Sequence, residues 1–129
     1  MTQAIRQTFD LNSSPDRVYA ALTNGKQFSA LSGGAPAEIT GENGGAFSCF
    51  GGMIHGRNIE LVPGKRIVQA WRVKNWSEGT YSIAQFELER HGDQTRVTFV
   101  HTGFPEDQRE HLAAGWHKNY WEPLTKFLS

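Results

Sequence analysis

One cysteine, Cys49, among 129 residues leaves no intrachain disulfide to build on. A chain of this length buries roughly two-thirds of its unfolded surface in a single core, so it needs neither a disulfide scaffold nor a structural metal. No apolar run approaches the roughly 20 residues of a membrane span. The opening Met1-Thr2-Gln3-Ala4-Ile5-Arg6 lacks the apolar stretch of a signal peptide, so a cytoplasmic address is expected. Neither sign of charge is in excess: Lys plus Arg and Asp plus Glu number 13 each. With no basic footprint, nucleic acid and anionic lipid are not expected partners. Repeats, low-complexity tracts and linker-like stretches are missing too, and one domain over residues 1–129 is expected. No P-loop, dinucleotide fingerprint or Ser-His-Asp order occurs.

Glycine, by contrast, is plentiful, with 14 residues, and marks where the chain reverses. Asn43-Gly44, Gly51-Gly52, Pro63-Gly64 and Gly92-Asp93 cut the middle of the chain into short pieces. Those pieces predict strands over about 36–42, 45–51, 53–62, 66–74, 80–91 and 94–103, after a first strand at about 3–11. Two segments break this rhythm. Ser13-Ser14-Pro15-Asp16 supplies an N-cap, a proline for the first turn and an acid, and Asn24-Gly25 the stop, of a helix over about 15–24, with a further turn around Lys26–Leu31. Pro105-Glu106-Asp107 opens a second helix that runs to about 128, kinked or restarted at Pro123, which has no N–H for the carbonyl of Asn119.

On the long helix Leu112, Trp116, Tyr120 and Leu124 recur every four residues, and Phe127 and Leu128 continue the stripe. Such a face is buried, either as plain core or as a cavity lining. Alternation groups Ile67, Gln69, Trp71 and Val73 on one strand face, Ala84, Phe86 and Leu88 on a second, and Val97, Phe99 and His101 on a third. Large apolar groups with a few polar ones suit a ligand pocket. The order strand, helix, six strands, long helix predicts an α+β fold, a curved antiparallel sheet of about six to seven strands wrapped on the C-terminal helix. A cavity is expected between them. Gly115, beside Trp116, is expected to let the helix approach its partner closely.

Several segments carry a family likeness: Ser14-Pro15-Asp16-Arg17-Val18-Tyr19-Ala20-Ala21-Leu22, Gly44-Gly45-Ala46-Phe47, and Ile59-Glu60-Leu61-Val62-Pro63-Gly64-Lys65-Arg66-Ile67 running into Ala70-Trp71. Phe86-Glu87-Leu88, Thr95-Arg96-Val97-Thr98-Phe99 with His101-Thr102-Gly103-Phe104, and Gly115-Trp116 complete the set over nearly the whole chain. In this order the chain resembles the activator of heat-shock-protein-90 ATPase homologue family, within the START and birch-pollen-allergen superfamily. The resemblance implies the helix-grip fold, a hydrophobic cavity for a lipid-, sterol- or polyphenol-like molecule, and a link to stress response. It implies no reaction and no cofactor. Co-chaperones of that family carry a further N-terminal domain for which this length leaves no room, so chaperone contact and ATPase activation are expected to be weak or absent. The segment from Gly45 to Gly56 is short for the family, which trims the hairpin near one cavity mouth.

The expected ligand wall is Gln69, Trp71, Phe86, Phe99, His101, Phe104, Trp116 and Tyr120, with Trp116 its main element. His101 is the one ionisable group on that face, read either as a group that orients a polar ligand head or as a core histidine bonded within the protein. Cys49 sits mid-strand with no activating neighbour and is expected to be inert. His111 and His117, six apart, diverge on a helix instead of forming a zinc-binding pair, so both are expected on the surface and no metal site is expected. Glu87 and Glu89 belong to the solvated face near Arg96. No catalytic residue is assigned. The expected function is binding of a small apolar or amphipathic ligand by a monomer or weak homodimer. A protein-interaction module of the co-chaperone kind and a cavity enzyme of the polyketide-cyclase or hydrolase kind are the alternatives.

Overall fold

The computed structural model describes residues 3–129; Met1 and Thr2, the first residues of the N-terminal stretch that lacks a signal-peptide apolar run, lie outside the described residues. Seven antiparallel strands follow one another in space in the order β1-β7-β6-β5-β4-β3-β2. They are β1 (Ile5–Leu11), β2 (Glu38–Ile39), β3 (Ala46–Cys49), β4 (Ile54–Val62), β5 (Arg66–Val73), β6 (Ser82–His91) and β7 (Gln94–Thr102). Helices α1 (Pro15–Thr23) and α2 (Gly25–Leu31) separate β1 from the rest, and α3 (Arg109–Trp116) and α4 (Glu122–Phe127) close the chain. This is the helix-grip α+β architecture.

Local chemistry sets the boundaries. The Ser14 hydroxyl accepts from the Arg17 N–H with Pro15 next to it, and Asn24, where α1 ends, caps α2 through its side chain on the Gln27 N–H. The expected extra turn is thus a second, separately capped helix. At the Pro63-Gly64 reversal Gly64 takes φ 71° and the Lys65 N–H returns to the Val62 carbonyl. The strand expected over 36–42 is only Glu38–Ile39, and the one expected over 45–51 ends at Cys49. Phe50, Gly51 and Gly52 cause the second shortening, because all three have positive φ (55°, 67° and 95°) and form a tight turn instead. Gly56 has a sterically required place: a Cβ there would collide with the Ala70 carbonyl across the β4–β5 pair.

Inner faces follow the alternation. Ala84 pairs with His101 and with Gln69, and Phe86 with Phe99 and with Ile67, and all of them are buried. Against this face lie Leu112, Trp116, Tyr120 and Leu124. Between α3 and α4 the helix widens to a π turn over His117–Trp121, where the Glu122 N–H reaches back to the His117 carbonyl. A wider turn relieves the pressure of the Pro123 ring on the carbonyl of Asn119, and Pro123 stands in the first turn of α4. The extra residue brings Trp121 inward beside Tyr120. No helix among the described residues is long and apolar enough to cross a membrane.

Candidate functional site

The helix and the sheet are in full contact at one end and apart at the other. At the closed end Trp121 lies 4.2 Å from Phe9 and 5.1 Å from Phe99, and Phe86 and Phe99 pack at 5.0 Å. At the open end a cavity of about 400 Å³ lies between α3 and the β3–β4 and β5–β6 turns. Trp71, Trp116 and Tyr120 form its aromatic floor, and Phe50 and Met53 of the short β3–β4 turn form one lip. Three other hollows each include charged side chains in their walls; this one includes none.

The eight residues expected to line a pocket therefore divide. Trp71, Trp116 and Tyr120 face the cavity, whereas Gln69, Phe86, Phe99, His101 and Phe104 are buried outside its lining. His101 and Phe99 share a packed layer with Trp71 and Trp116, not the cavity wall itself. Gln69 is turned to a polar neighbour of its own, donating to the Asn58 side-chain carbonyl at 3.1 Å. Gly115 does not serve close packing: a methyl group on it would meet only the Asn119 amide nitrogen, at 3.7 Å. Its missing side chain widens the cavity.

The floor is fixed by a chain of buried hydrogen bonds. The Trp116 indole N–H donates to His101 Nδ1 at 3.0 Å, which leaves the proton on Nε2, 2.7 Å from the Ser82 hydroxyl. Ser82 in turn donates to the Trp71 carbonyl at 2.8 Å, and the Trp71 indole donates to the Tyr120 hydroxyl at 3.3 Å. Both imidazole nitrogens are satisfied within the protein. Burial, with His101 fully enclosed, pushes its pKa down to about 3, so it is neutral at physiological pH. Of the two readings of His101, the geometry is that of the core histidine bonded within the protein. Burial likewise pushes the Cys49 thiol up to about 12 and holds the Tyr120 phenol well above its usual range. No activated nucleophile results at either.

Phe50, Met53, Ile54, Asn75, Gln108 and Asn119 also line the cavity, and the sequence marks none of them for it. Phe50 holds a left-handed backbone that a bulky side chain rarely accepts, and its ring meets Tyr120 at 5.6 Å and Phe28 at 5.4 Å. Gly51 and Gly52, which follow it, are the only signal in the sequence. His111, an exposed helix residue as expected, stands at the mouth with Asn75, Gln108 and Asn119. Asn75 comes from a loop and Gln108 from the single 3-10 turn that leads into α3, and neither stretch is long enough for a periodicity to mark a face.

Comparison with known proteins agrees with this architecture. An Activator of 90 kDa heat shock protein ATPase homolog from Dictyostelium discoideum is 34% identical over 129 residues, 99% of this chain and 33% of that protein. The Homo sapiens Activator of 90 kDa heat shock protein ATPase homolog 1 is 30% identical over 122 residues, 95% of this chain and 35% of its own length. The chain thus spans about a third of the curated relatives it matches. Among solved structures, an HSP90 activator from Plasmodium falciparum superposes with a TM-score of 0.87 at 26% identity, covering 92% of this chain and 91% of that one. The Aha1 dimer from Colwellia psychrerythraea shares the fold, with a TM-score of 0.82 at 20% identity, over 98% of this chain and 97% of that one. Residues 12–129 match the family described as Activator of Hsp90 ATPase homolog 1-like protein, and the chain belongs to that family.

Proposed function

We propose that the chain binds a small apolar or amphipathic molecule in the cavity beside α3. The observation that supports this best is Gly115, which leaves space in the cavity wall next to three aromatic side chains that a long side chain there would occupy. A volume of about 400 Å³ lies toward the small end of ligand pockets, which span roughly 300–1,000 Å³. A ligand burying about 300 Å² of apolar surface gains about 7 kcal/mol, less several kcal/mol of lost freedom, so sub-millimolar to millimolar binding is expected.

Trp116 is only 2% exposed and bonded to His101, so truncating it unsettles the core. Gly115→Leu fills the cavity from a position with no crowding neighbour and is the better probe. Indole fluorescence should report sub-millimolar to millimolar binding of a fatty acid, a sterol or a flat polyphenol by the parent protein, and at least about tenfold weaker binding by Gly115→Leu. The reading fails if no class binds the parent, or if folded Gly115→Leu binds with unchanged affinity.

The family match supports a second reading, contact with the 90 kDa heat-shock ATPase named for the relatives. Adding the chain to that ATPase measures it directly. Stimulation that survives Gly115→Leu would separate such contact from the cavity.

A further inference from the structure

We infer that β1 is the interface of a weak homodimer, in which it pairs antiparallel with the β1 of a second copy about a two-fold axis at Thr8. The sheet has two edges. One is β2, only Glu38–Ile39; the other is β1, whose seven residues Ile5–Leu11 pair with β7 on one side alone. The open stretch has defined ends. Just before it the Arg109 guanidinium takes the Gln3 and Ala4 carbonyls, at 3.2 and 3.3 Å, and at its end the Leu11 carbonyl accepts from the Ser13 N–H. Between these points no other segment of the described residues bonds to the backbone of β1. An edge of this length is a template for a further strand unless something blunts it. β1 has no proline, no lysine and no bulge in its register with β7.

Its side chains select a second copy as the partner, and one register. Arg6, Thr8 and Asp10 are exposed and alternate onto the outer face. In a continuous sheet, opposite residues point to the same face, so even-numbered positions meet even-numbered ones. Centred on Thr8, the pairing sets Arg6 opposite the partner's Asp10 and Asp10 opposite the partner's Arg6. Sliding it by one pleat in either direction removes both charge pairs. Sliding it by two pleats brings Arg6 against Arg6 or Asp10 against Asp10. Within its own sheet Arg6 lies across from Val100 and has no acidic partner among the described residues. The Asp10 carboxylate accepts from Arg96 at 3.0 and 3.3 Å and keeps lone pairs for a second guanidinium. Pairing along one seven-residue edge falls short of the roughly 1,000 Å² expected of a stable interface, so the association is weak and concentration-dependent.

Sedimentation velocity from micromolar to millimolar concentration should show a monomer–dimer equilibrium of the parent in the upper part of that range. Arg6→Glu places like charges opposite each other twice and should weaken self-association at least about fivefold, and so should Asp10→Lys. Circular dichroism verifies that both variants fold. An equimolar mixture of the two should dimerise again, because each altered charge meets its complement in the other chain. A thiol reports the register independently of charge. Cys49 is buried, so Thr8→Cys carries one exposed thiol, at the two-fold axis. On mild oxidation it should cross-link at least about tenfold faster than Thr98→Cys, which is also exposed but one strand further in. A parent that stays monomeric at millimolar concentration would leave the edge to a strand of another protein and overturn the inference. So would folded Arg6→Glu that associates like the parent, a mixture of folded variants that does not dimerise, or Thr98→Cys that cross-links as fast as Thr8→Cys. No residue of β1 lines the cavity beside α3, so these outcomes leave that reading as it stands.

Discussion

His101 shows how a single residue can look functional and prove structural. Its strand alternation places it on the inner face, where a titratable group suggests chemistry, but Trp116 and Ser82 take up both its nitrogens. An indole can only donate, so Nδ1 must accept, and one tautomer is imposed. In the unfolded chain the imidazole takes up a proton near 6.5, and in the folded protein only near 3. Between those values the unfolded state holds more protons, so this contribution to stability is complete above pH 6.5 and falls away as the pH drops toward 3. His101→Gln should flatten that part of the stability profile in urea unfolding measured from pH 7 downward. His101→Leu, which leaves the Trp116 N–H buried without an acceptor, should cost about 1–3 kcal/mol at pH 7. A profile of His101→Gln that parallels the parent throughout would show that the histidine titrates normally in the fold.

Among the elements, the C-terminal helix depends on one cross-link that no periodicity reveals. Gln7 of β1 donates to the Ala113 carbonyl at 3.1 Å and accepts from the Trp121 indole at 2.6 Å, so one side chain ties the sheet's edge strand both to α3 and to the π turn. Gln7→Leu should destabilise by about 1–3 kcal/mol, since the buried Trp121 N–H loses its acceptor. In a double-mutant cycle with Trp121→Phe the two losses should not add, with a coupling of at least about 0.5 kcal/mol; additive losses would mean that the bond carries no weight. The same helix marks where the sequence is legible. Leu112, Trp116, Tyr120 and Leu124 are plain from four-residue spacing, and the strand faces of Gln69, Phe86 and His101 from two-residue alternation, because one repeating geometry governs each. Trp121 is not, because it owes its inward direction to a turn one residue wider than the α-helix. Nor is the left-handed Phe50, whose conformation is set by its packing on Phe28 and Tyr120. The polar mouth is hidden for a related reason, since its amides come from a loop, a helical entry and a helix face that only the fold brings together.

In the whole molecule, the curved sheet and its helix share one core that is complete around Trp121, Phe99 and Phe9 and incomplete around Gly115. Packing density is the contrast that matters: interiors tolerate few voids larger than a water molecule, and an aromatic-floored cavity without charge leaves surface that a ligand can cover. Binding to the folded state alone raises global stability by about 2.7 kcal/mol at a ligand concentration one hundred times Kd. The location of that gain is as informative as its size. Hydrogen exchange should slow in α3 and in the Phe50–Ile54 segment, which border the cavity, and stay unchanged at the β6–β7 hairpin around Gly92, which does not. Gly115→Leu should show part of that protection without ligand, because its side chain occupies the same space, and should gain no more when ligand is added. Protection confined to the β6–β7 hairpin, or equal in Gly115→Leu and parent, would mean that the molecule binds elsewhere on the sheet and that the gap beside α3 is merely loose packing.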